Sequence, residues 1–141
     1  MKKRIIALGL LWCLSAVMLQ AARVDTVLVR SAAMNKDVKV VYVLPDKAIG
    51  KQACPVVYLL HGYGGNARSW VQLKPELPQM ADEKGIIFVC PDGKNSWYWD
   101  SPENPAYRYE TFVTSELVKY TDGNYATIPD RKARAISGLS M

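Results

Sequence analysis

The sequence lacks several features that would each define a class of protein. It has no internal repeat and no low-complexity stretch, and half of its 141 residues are hydrophobic. This composition excludes a disordered chain, a collagen-like chain and a multi-span membrane protein, and it leaves room for one globular domain at most. The basic residues form no cluster or stripe, which argues against a nucleic-acid partner.

The N-terminus lacks an apolar run long enough to span a membrane. Residues 5–19 are apolar apart from Ser15, which is shorter than the ~20 residues that a spanning helix needs. This run follows the basic residues Lys2, Lys3 and Arg4 and ends at Gln20, Ala21 and Ala22, a pattern typical of a secretory signal peptide. We therefore expect residues 1–22 to be a cleaved leader, with no stable membrane insertion afterwards. The protein would be exported, either to the periplasm or to the medium.

Removal of the leader takes three of the 18 basic residues with it. The remaining 15 Lys and Arg stand against 13 Asp and Glu, a net charge of +2. The formal charge of +5 on the whole sequence therefore says little about a partner.

Cysteine is scarce once the leader is removed, because only Cys54 and Cys90 remain. An even number in an exported protein would favour a disulfide. However, Cys54 precedes the apolar run 55–60, whereas Cys90 ends the run 86–90. If these runs are neighbouring parallel strands, the two cysteines lie roughly 16 Å apart, against the Cα separation of about 4.4–6.8 Å in a disulfide. We predict two free, buried thiols.

Apolar patterns along the chain predict an α/β fold. Residues 24–30 and 38–44 are rich in valine and alternate in part, which indicates strands joined by a turn at 35–37. The runs 55–60 and 86–90 are apolar without alternation, as expected of strands covered on both faces. The other predicted elements are a polar loop at 45–53, helices at 67–71, 78–84 and 108–120, and a strand at 131–137. This order predicts a mostly parallel sheet that is entered through an antiparallel hairpin.

Two glycine-containing motifs follow predicted strands. The segment His61-Gly62-Tyr63-Gly64-Gly65 directly follows the run 55–60, where a glycine-rich turn can point backbone N–H groups into a cleft. The segment Gly138-Leu139-Ser140-Met141 matches the first four positions of G-x-S-x-G, the nucleophile elbow. Taken alone, the first motif is better explained as an ordinary turn and the second as a chance match. Together, in this order and with a strand and helix between them, they fit the sheet of an α/β-hydrolase.

Residues 57–62, 95–98 and 138–141 resemble a group of secreted bacterial esterases. That group includes tributyrin-type, feruloyl and acetyl-xylan esterases, S-formylglutathione hydrolases and mycolyltransferases. The resemblance extends from about residue 38 to the end and is greatest to the tributyrin-esterase-like members. It implies an α/β-hydrolase domain that begins at about residue 23 and that needs neither a metal nor an organic cofactor.

The resemblance also implies a role for each motif. Ser140 would be the nucleophile, and the backbone N–H groups of Tyr63 and Met141 would form the oxyanion hole. Trp97 and Tyr98 would line the acyl or alcohol side of the cleft. The remaining residues of the oxyanion loop would be His61, Gly62, Gly64 and Gly65.

The aromatic residues also allow a structural interpretation. Trp97 and Tyr98 could equally hold the long loop 94–105 against the sheet, and for Trp99 this is the favoured interpretation.

The expected substrate is a small-molecule or carbohydrate ester. The alternatives are an acyltransferase of the same fold and a non-catalytic carbohydrate-binding remnant that stacks sugars on these aromatic side chains.

The sequence departs from the group after Ser140. Neither the expected Gly-Gly nor the later Asp and His of the triad is present, and Asp100 precedes the serine, which is the wrong order for the triad acid. The only histidine, His61, belongs to the oxyanion loop. A serine without a base is a poor nucleophile, so we expect residues 23–141 to be the N-terminal part of an esterase domain, with little or no turnover of its own.

Overall fold

The computed structural model describes residues 22–141. The leader predicted over residues 1–22 therefore lies, except for Ala22, outside the described residues. The strands are β1 (Arg23–Ser31), β2 (Lys36–Leu44), β3 (Val56–Leu60), β4 (Ile87–Pro91) and β5 (Arg134–Gly138). The α-helices are α1 (Asp46–Ile49), α2 (Ser69–Leu73), α3 (Leu77–Lys84), α4 (Tyr109–Thr111) and α5 (Leu117–Asn124), with a π-helical segment (Phe112–Glu116) that joins α4 to α5 and a 3-10 turn (Arg131–Ala133) before β5.

The five strands form one sheet in the order β1-β2-β4-β3-β5. β2 pairs antiparallel with both β1 and β4, whereas β3 pairs parallel with both β4 and β5. Four strands therefore point the same way and β2 alone opposes them. This confirms the predicted α/β fold and the antiparallel hairpin through which the chain enters the sheet.

Side chains of the sheet alternate between two apolar clusters, one on each face. Val40 and Tyr42 of β2 pack with Phe112 and Leu117 on the face covered by the helical stretch 109–124. Val41 and Val43 belong to the other cluster, together with residues of α3 such as Leu77 and Ala81. A sheet buried on both faces explains why β3 and β4 show continuous apolar runs. No helix of residues 22–141 has the length and apolar character needed to cross a membrane.

The two cysteines of the described chain are free and buried, as predicted. Tyr58 pairs with Val89 in the parallel β3–β4 ladder, so Cys90 lies just beyond that level while Cys54 precedes β3. The thiols are therefore at opposite ends of adjacent strands. Burial raises the pKa of the Cys90 thiol to about 12.

Several boundaries differ from those that the sequence predicts. The strand predicted from residue 131 begins at Arg134, because the Asp130 side chain accepts a hydrogen bond from the Lys132 N–H (2.8 Å) and holds residues 131–133 in a 3-10 turn. The loop expected at 45–53 contains α1, whose first N–H group, that of Asp46, donates to the Asp82 carboxylate at 2.8 Å. Both deviations involve hydrogen bonds accepted by side chains, one local and one between distant parts of the chain, and hydrophobic periodicity is insensitive to either kind.

Candidate active site

The elbow at Ser140 follows directly from the end of β5. The Leu139 N–H donates to the Leu60 carbonyl at 3.2 Å, which ties the turn to the neighbouring strand β3. Ser140 itself has φ +61°, in the left-handed region that residues other than glycine rarely adopt. Such a conformation costs about 1–3 kcal/mol and is found most often at functional sites. The hydroxyl-bearing side chain is exposed.

The glycine-rich loop after β3, residues 61–65, is the expected oxyanion loop and lies against this elbow. A Cβ atom on Gly62 would be 3.0 Å from the Leu139 carbonyl oxygen and 3.3 Å from the Ser140 Cβ. The approach follows from topology, because β3 and β5 are adjacent and parallel, so their carboxyl ends reach the same edge of the sheet. Glycine at residue 62 lets the loop pass this close. The two sequence motifs therefore meet in space.

The two amides expected to form the oxyanion hole have no acceptor within the described residues. Neither the Tyr63 N–H nor the Met141 N–H donates to another group of residues 22–141. By contrast, the Gly65 N–H of the same loop donates to the Gly62 carbonyl at 3.0 Å, and the Gly64 N–H donates to the Asn95 side chain at 2.8 Å. Tyr63 and Met141 thus retain the donors that an anionic oxygen would need.

A second loop, residues 93–98, holds the glycine-rich loop from the side of β4. The Tyr98 hydroxyl accepts a hydrogen bond from the His61 N–H at 3.0 Å. A Cβ atom on Gly93 would overlap the Tyr98 ring at 2.2 Å, so glycine is needed there for the ring to reach His61. Lys94, Trp97 and Tyr98 all have positive φ, from 50° to 57°. These residues with positive φ lie beside the glycine-rich loop, which in turn lies against the elbow.

His61 is buried beneath the glycine-rich loop and is not an accessible base. Its side chain is 1% exposed, and both ring nitrogens have protein neighbours: Nε2 accepts from the Gly93 N–H at 2.9 Å, and Nδ1 lies 2.7 Å from the Gly62 carbonyl oxygen. Asp92 Oδ1 lies 3.6 Å from Nε2. The imidazole is therefore part of the scaffold of the site.

Asp92 is the most strongly perturbed carboxylate near the site. Burial by itself would raise the pKa of Asp92, but the Lys94 ammonium and the Lys94 N–H outweigh burial and hold this pKa well below its usual range. The Lys94 ammonium lies 2.8 Å from Oδ2, and the Lys94 N–H donates to Oδ1 at 3.0 Å. Asp92 is thus ionised and can only accept hydrogen bonds.

The aromatic residues near the site fall into two groups. Tyr63 and Trp97 are 67% and 60% exposed, and their ring centroids are 6.4 Å apart. Tyr98 is half-buried, and its hydroxyl is directed at the His61 backbone. Trp99 is 51% exposed, so about half of its surface is covered.

Asp100 and Asn95 have positions that the sequence did not assign. Both Asp100 carboxylate oxygens accept hydrogen bonds from Thr111, from the backbone N–H (3.0 Å) and from the hydroxyl (2.5 Å), which caps the start of the helical stretch 109–124. Asn95, Asp92 and Gly93 support the glycine-rich loop but were not among the predicted site residues. Asn95 opens one of the three segments that carry the family resemblance, which is the signal that could have identified it. No group of three or more acidic, histidine or cysteine side chains suited to a metal ion occurs between residues 22 and 141.

Comparison with known proteins gives the chain a family. Residues 31–141 match the family described as "Putative esterase". The chain is 27% identical to an acetyl esterase of Caldicellulosiruptor saccharolyticus over 119 residues, which is 79% of this chain and 44% of that enzyme. It is 31% identical to the diacylglycerol acyltransferase/mycolyltransferase Ag85A of Mycobacterium gordonae over 128 residues, covering 84% of this chain and 35% of the relative.

A solved structure has the same fold. The structure of a ferulic acid esterase superposes with a TM-score of 0.73 at 28% identity, covering 86% of this chain and 52% of the other. The chain thus spans less than half the length of the two curated relatives above. With the family match covering most of the sequence and the same fold in a solved esterase, the chain belongs to this esterase family.

Proposed function

We propose that the whole protein to which these residues belong is a serine carboxylic-ester hydrolase with Ser140 as its nucleophile. The observation that carries the proposal is the apposition of Gly62 and Ser140, with 3.3 Å between a Cβ on the glycine and the serine Cβ. It brings the positive-φ serine at the end of β5 beside the two amides, Tyr63 and Met141, that have no acceptor in the described chain.

The proposed reaction is acyl transfer through an acyl-enzyme. The Ser140 Oγ attacks the ester carbonyl carbon as a base removes its proton, and the carbonyl oxygen becomes an oxyanion that accepts hydrogen bonds from the Tyr63 and Met141 N–H groups. The C–O bond to the alcohol then breaks, and the alcohol leaves with a proton. Water attacks the acyl-enzyme in the second half of the reaction, which releases the acid and restores the serine.

The base is not found among the described residues. His61 is the only histidine of the 141, and its ring is buried and engaged by Gly62 and Gly93. We therefore propose that the triad acid and base come from a part of the whole protein outside these 141 residues, and that residues 22–141 alone have little turnover. Loss of a triad member in another serine hydrolase fold lowers kcat by roughly 10⁴–10⁶-fold.

The proposed substrates are short acyl esters or acyl groups on carbohydrate. The names of an acetyl esterase and a ferulic acid esterase among the similar proteins support this range. The exposed pair Tyr63 and Trp97 offers flat apolar surfaces, suited to an aromatic acyl group or a sugar ring. Tyr63 directly follows Gly62, which lies against Ser140. The basic, apolar start of the sequence supports export, so that such substrates would be met outside the cytoplasm.

Two alternatives remain distinct proposals. The likeness to Ag85A favours transfer of the acyl group to an acceptor alcohol instead of water. This alternative predicts an ester product that forms only when an alcohol is supplied. A non-catalytic carbohydrate-binding remnant would instead bind glycans through Trp97 and Tyr98, and the double change Trp97→Ala with Tyr98→Ala would abolish binding while Ser140→Ala would not affect it.

The test uses hydrolysis of 4-nitrophenyl acetate by the whole protein, with Ser140→Ala and the matched control Ser137→Ala. Ser137 is exposed in β5 but lies outside the elbow. We expect Ser140→Ala to lower kcat by at least about 10⁴-fold and Ser137→Ala to leave it unchanged. Wild-type turnover in the Ser140→Ala variant would overturn the proposal.

A further inference from the structure

The direction of the Tyr63 N–H depends on the carbonyl of Gly62, because both belong to one peptide unit. A peptide unit is planar and trans, so its C=O and N–H point to opposite sides. The Gly62 carbonyl oxygen is held by the Gly65 N–H at 3.0 Å and lies 2.7 Å from the His61 Nδ1. Fixing this oxygen therefore fixes the direction in which the Tyr63 N–H points.

The hydrogen bonds of the His61 ring specify one tautomer. Its Nε2 lies 2.9 Å from the Gly93 amide nitrogen. A backbone N–H group can only donate a hydrogen bond. Nε2 is therefore the acceptor and carries no proton in this arrangement. The proton of the neutral ring is therefore on Nδ1, which donates to the Gly62 carbonyl. The nearby Asp92 carboxylate, 3.6 Å from Nε2, has no proton to give.

The glycines around the ring are needed for this contact. A Cβ atom on Gly65 would lie 2.8 Å from the His61 Nδ1 and 3.0 Å from the Gly62 oxygen, too close to both atoms of this hydrogen bond. Glycine at residue 65 thus lets the loop close around the imidazole. The Tyr98 hydroxyl accepts a hydrogen bond from the His61 backbone N–H. This contact fixes the position at which the chain leaves β3.

We propose that His61 is a positioning residue for the oxyanion hole, acting as its neutral Nδ1–H tautomer through the Gly62 carbonyl to aim the Tyr63 N–H. This inference rests on the proposed function, because it takes the Tyr63 N–H as an oxyanion donor. It assigns the histidine a role that differs from that of a base. The side chain is closed off from solvent and acts only through the peptide that it holds.

The first test reads the tautomer directly, by ¹⁵N–¹H correlation of ring nitrogens in the whole protein labelled with ¹⁵N-histidine. The His61 signals are those that disappear in the His61→Asn variant. We expect a protonated Nδ1 and an unprotonated Nε2 at neutral pH. A ring protonated on Nε2, or a pair of signals averaged between the two tautomers, would overturn the proposal whether or not the protein is an esterase.

The second test separates positioning from folding by kinetics on the same protein. His61→Leu removes the donor to Gly62, whereas His61→Asn keeps an N–H donor near the place of Nδ1. We expect His61→Leu to lower kcat by up to the 10²–10³-fold that loss of one oxyanion donor costs, with little change in KM, and His61→Asn to restore part of that loss. A folded His61→Leu variant with wild-type kcat would contradict the role.

A matched control loses a buried hydrogen bond elsewhere in the sheet. The Tyr42 hydroxyl lies 2.8 Å from the Thr121 Oγ1 in the core, so Tyr42→Phe should lower stability but leave kcat unchanged. If Ser140→Ala retains activity, the proposed function fails, and the tautomer measurement still decides the state of the His61 ring. If His61→Leu does not fold, that measurement again decides.

Discussion

Gly62 lies so close to Ser140 that a Cβ atom on the glycine would be 3.3 Å from the serine Cβ and 3.0 Å from the Leu139 carbonyl oxygen. This approach joins the end of β3 to the end of β5. It depends on the pairing of Leu60 with Gly138 in the parallel ladder, which brings the two turns to one level. The consequences of this geometry can be measured in single variants of the whole protein.

Gly62→Ala is expected to lower kcat clearly and to change the Tm little. The added methyl group would force the glycine-rich loop or the elbow to move by a few tenths of an ångström, and such a displacement of the oxyanion donors costs on the order of tenfold in rate. The measurement is kcat together with Tm.

Gly123→Ala is the matched control. Gly123 lies in α5, and a Cβ atom on it would meet nothing within 4 Å. This control should raise stability by about 0.5–1 kcal/mol without affecting kcat. Equal kcat in Gly62→Ala and wild type would contradict the described contact.

Tyr98→Phe is expected to destabilise the fold by about 1–3 kcal/mol, because it leaves the buried His61 N–H without its acceptor. The change keeps the ring that packs over Gly93. Urea unfolding at neutral pH measures the free energy. Tyr107→Phe is the comparison, since the Tyr107 ring contacts the Lys36 ammonium and the Tyr109 ring, and both contacts survive in phenylalanine. If both variants unfold at the wild-type urea concentration, the Tyr98 hydroxyl does not hold the loop.

Asp92→Asn is expected to reduce stability at neutral pH and to lose this effect in acid. Because the folded-state pKa of Asp92 is held below that of an unfolded aspartate, about 3.9, its contribution is complete above pH ~4 and is lost as pH falls through the folded-state pKa. Unfolding free energies of wild type and variant should therefore differ most near pH 7 and converge below pH ~4.

The Lys94 side chain supplies a check on the cause. Lys94→Met removes the ammonium group that lies 2.8 Å from Asp92 Oδ2. The loss of stability that Asp92→Asn causes at pH 7 should therefore be smaller in a protein that already carries Lys94→Met. A loss that is the same at pH 7 and in acid would show that Asp92 contributes through packing and not through its charge.

Hydrophobic pattern predicts the scaffold of this fold well. The continuous apolar runs are β3 and β4, the valine-rich alternation is the β1–β2 hairpin, and the helix expected to stop at Gly85 does so, with φ +63° at that glycine. Periodicity reports burial, and burial dominates these elements. It does not report hydrogen bonds made by side chains, which explains why α1 and the 3-10 turn at residues 131–133 were missed.

The motifs predict which loops meet but not what holds them. The positions of His61 and Ser140 follow from the strands that precede them. The support from Gly93, Asn95 and Tyr98 depends instead on the sheet order, which puts β4 beside β3, and on positive φ angles that no local pattern reveals. The sequence suggested a substrate contact for Tyr98, whereas its hydroxyl contacts the His61 backbone.

The most direct test of Ser140 as the nucleophile is covalent labelling of the whole protein with a fluorophosphonate, followed by peptide mapping of the adduct by mass spectrometry. The expected result is a single adduct on Ser140, which disappears in Ser140→Ala and persists in Ser137→Ala. An adduct on another residue, or active protein that hydrolyses esters without labelling at Ser140, would contradict the assignment.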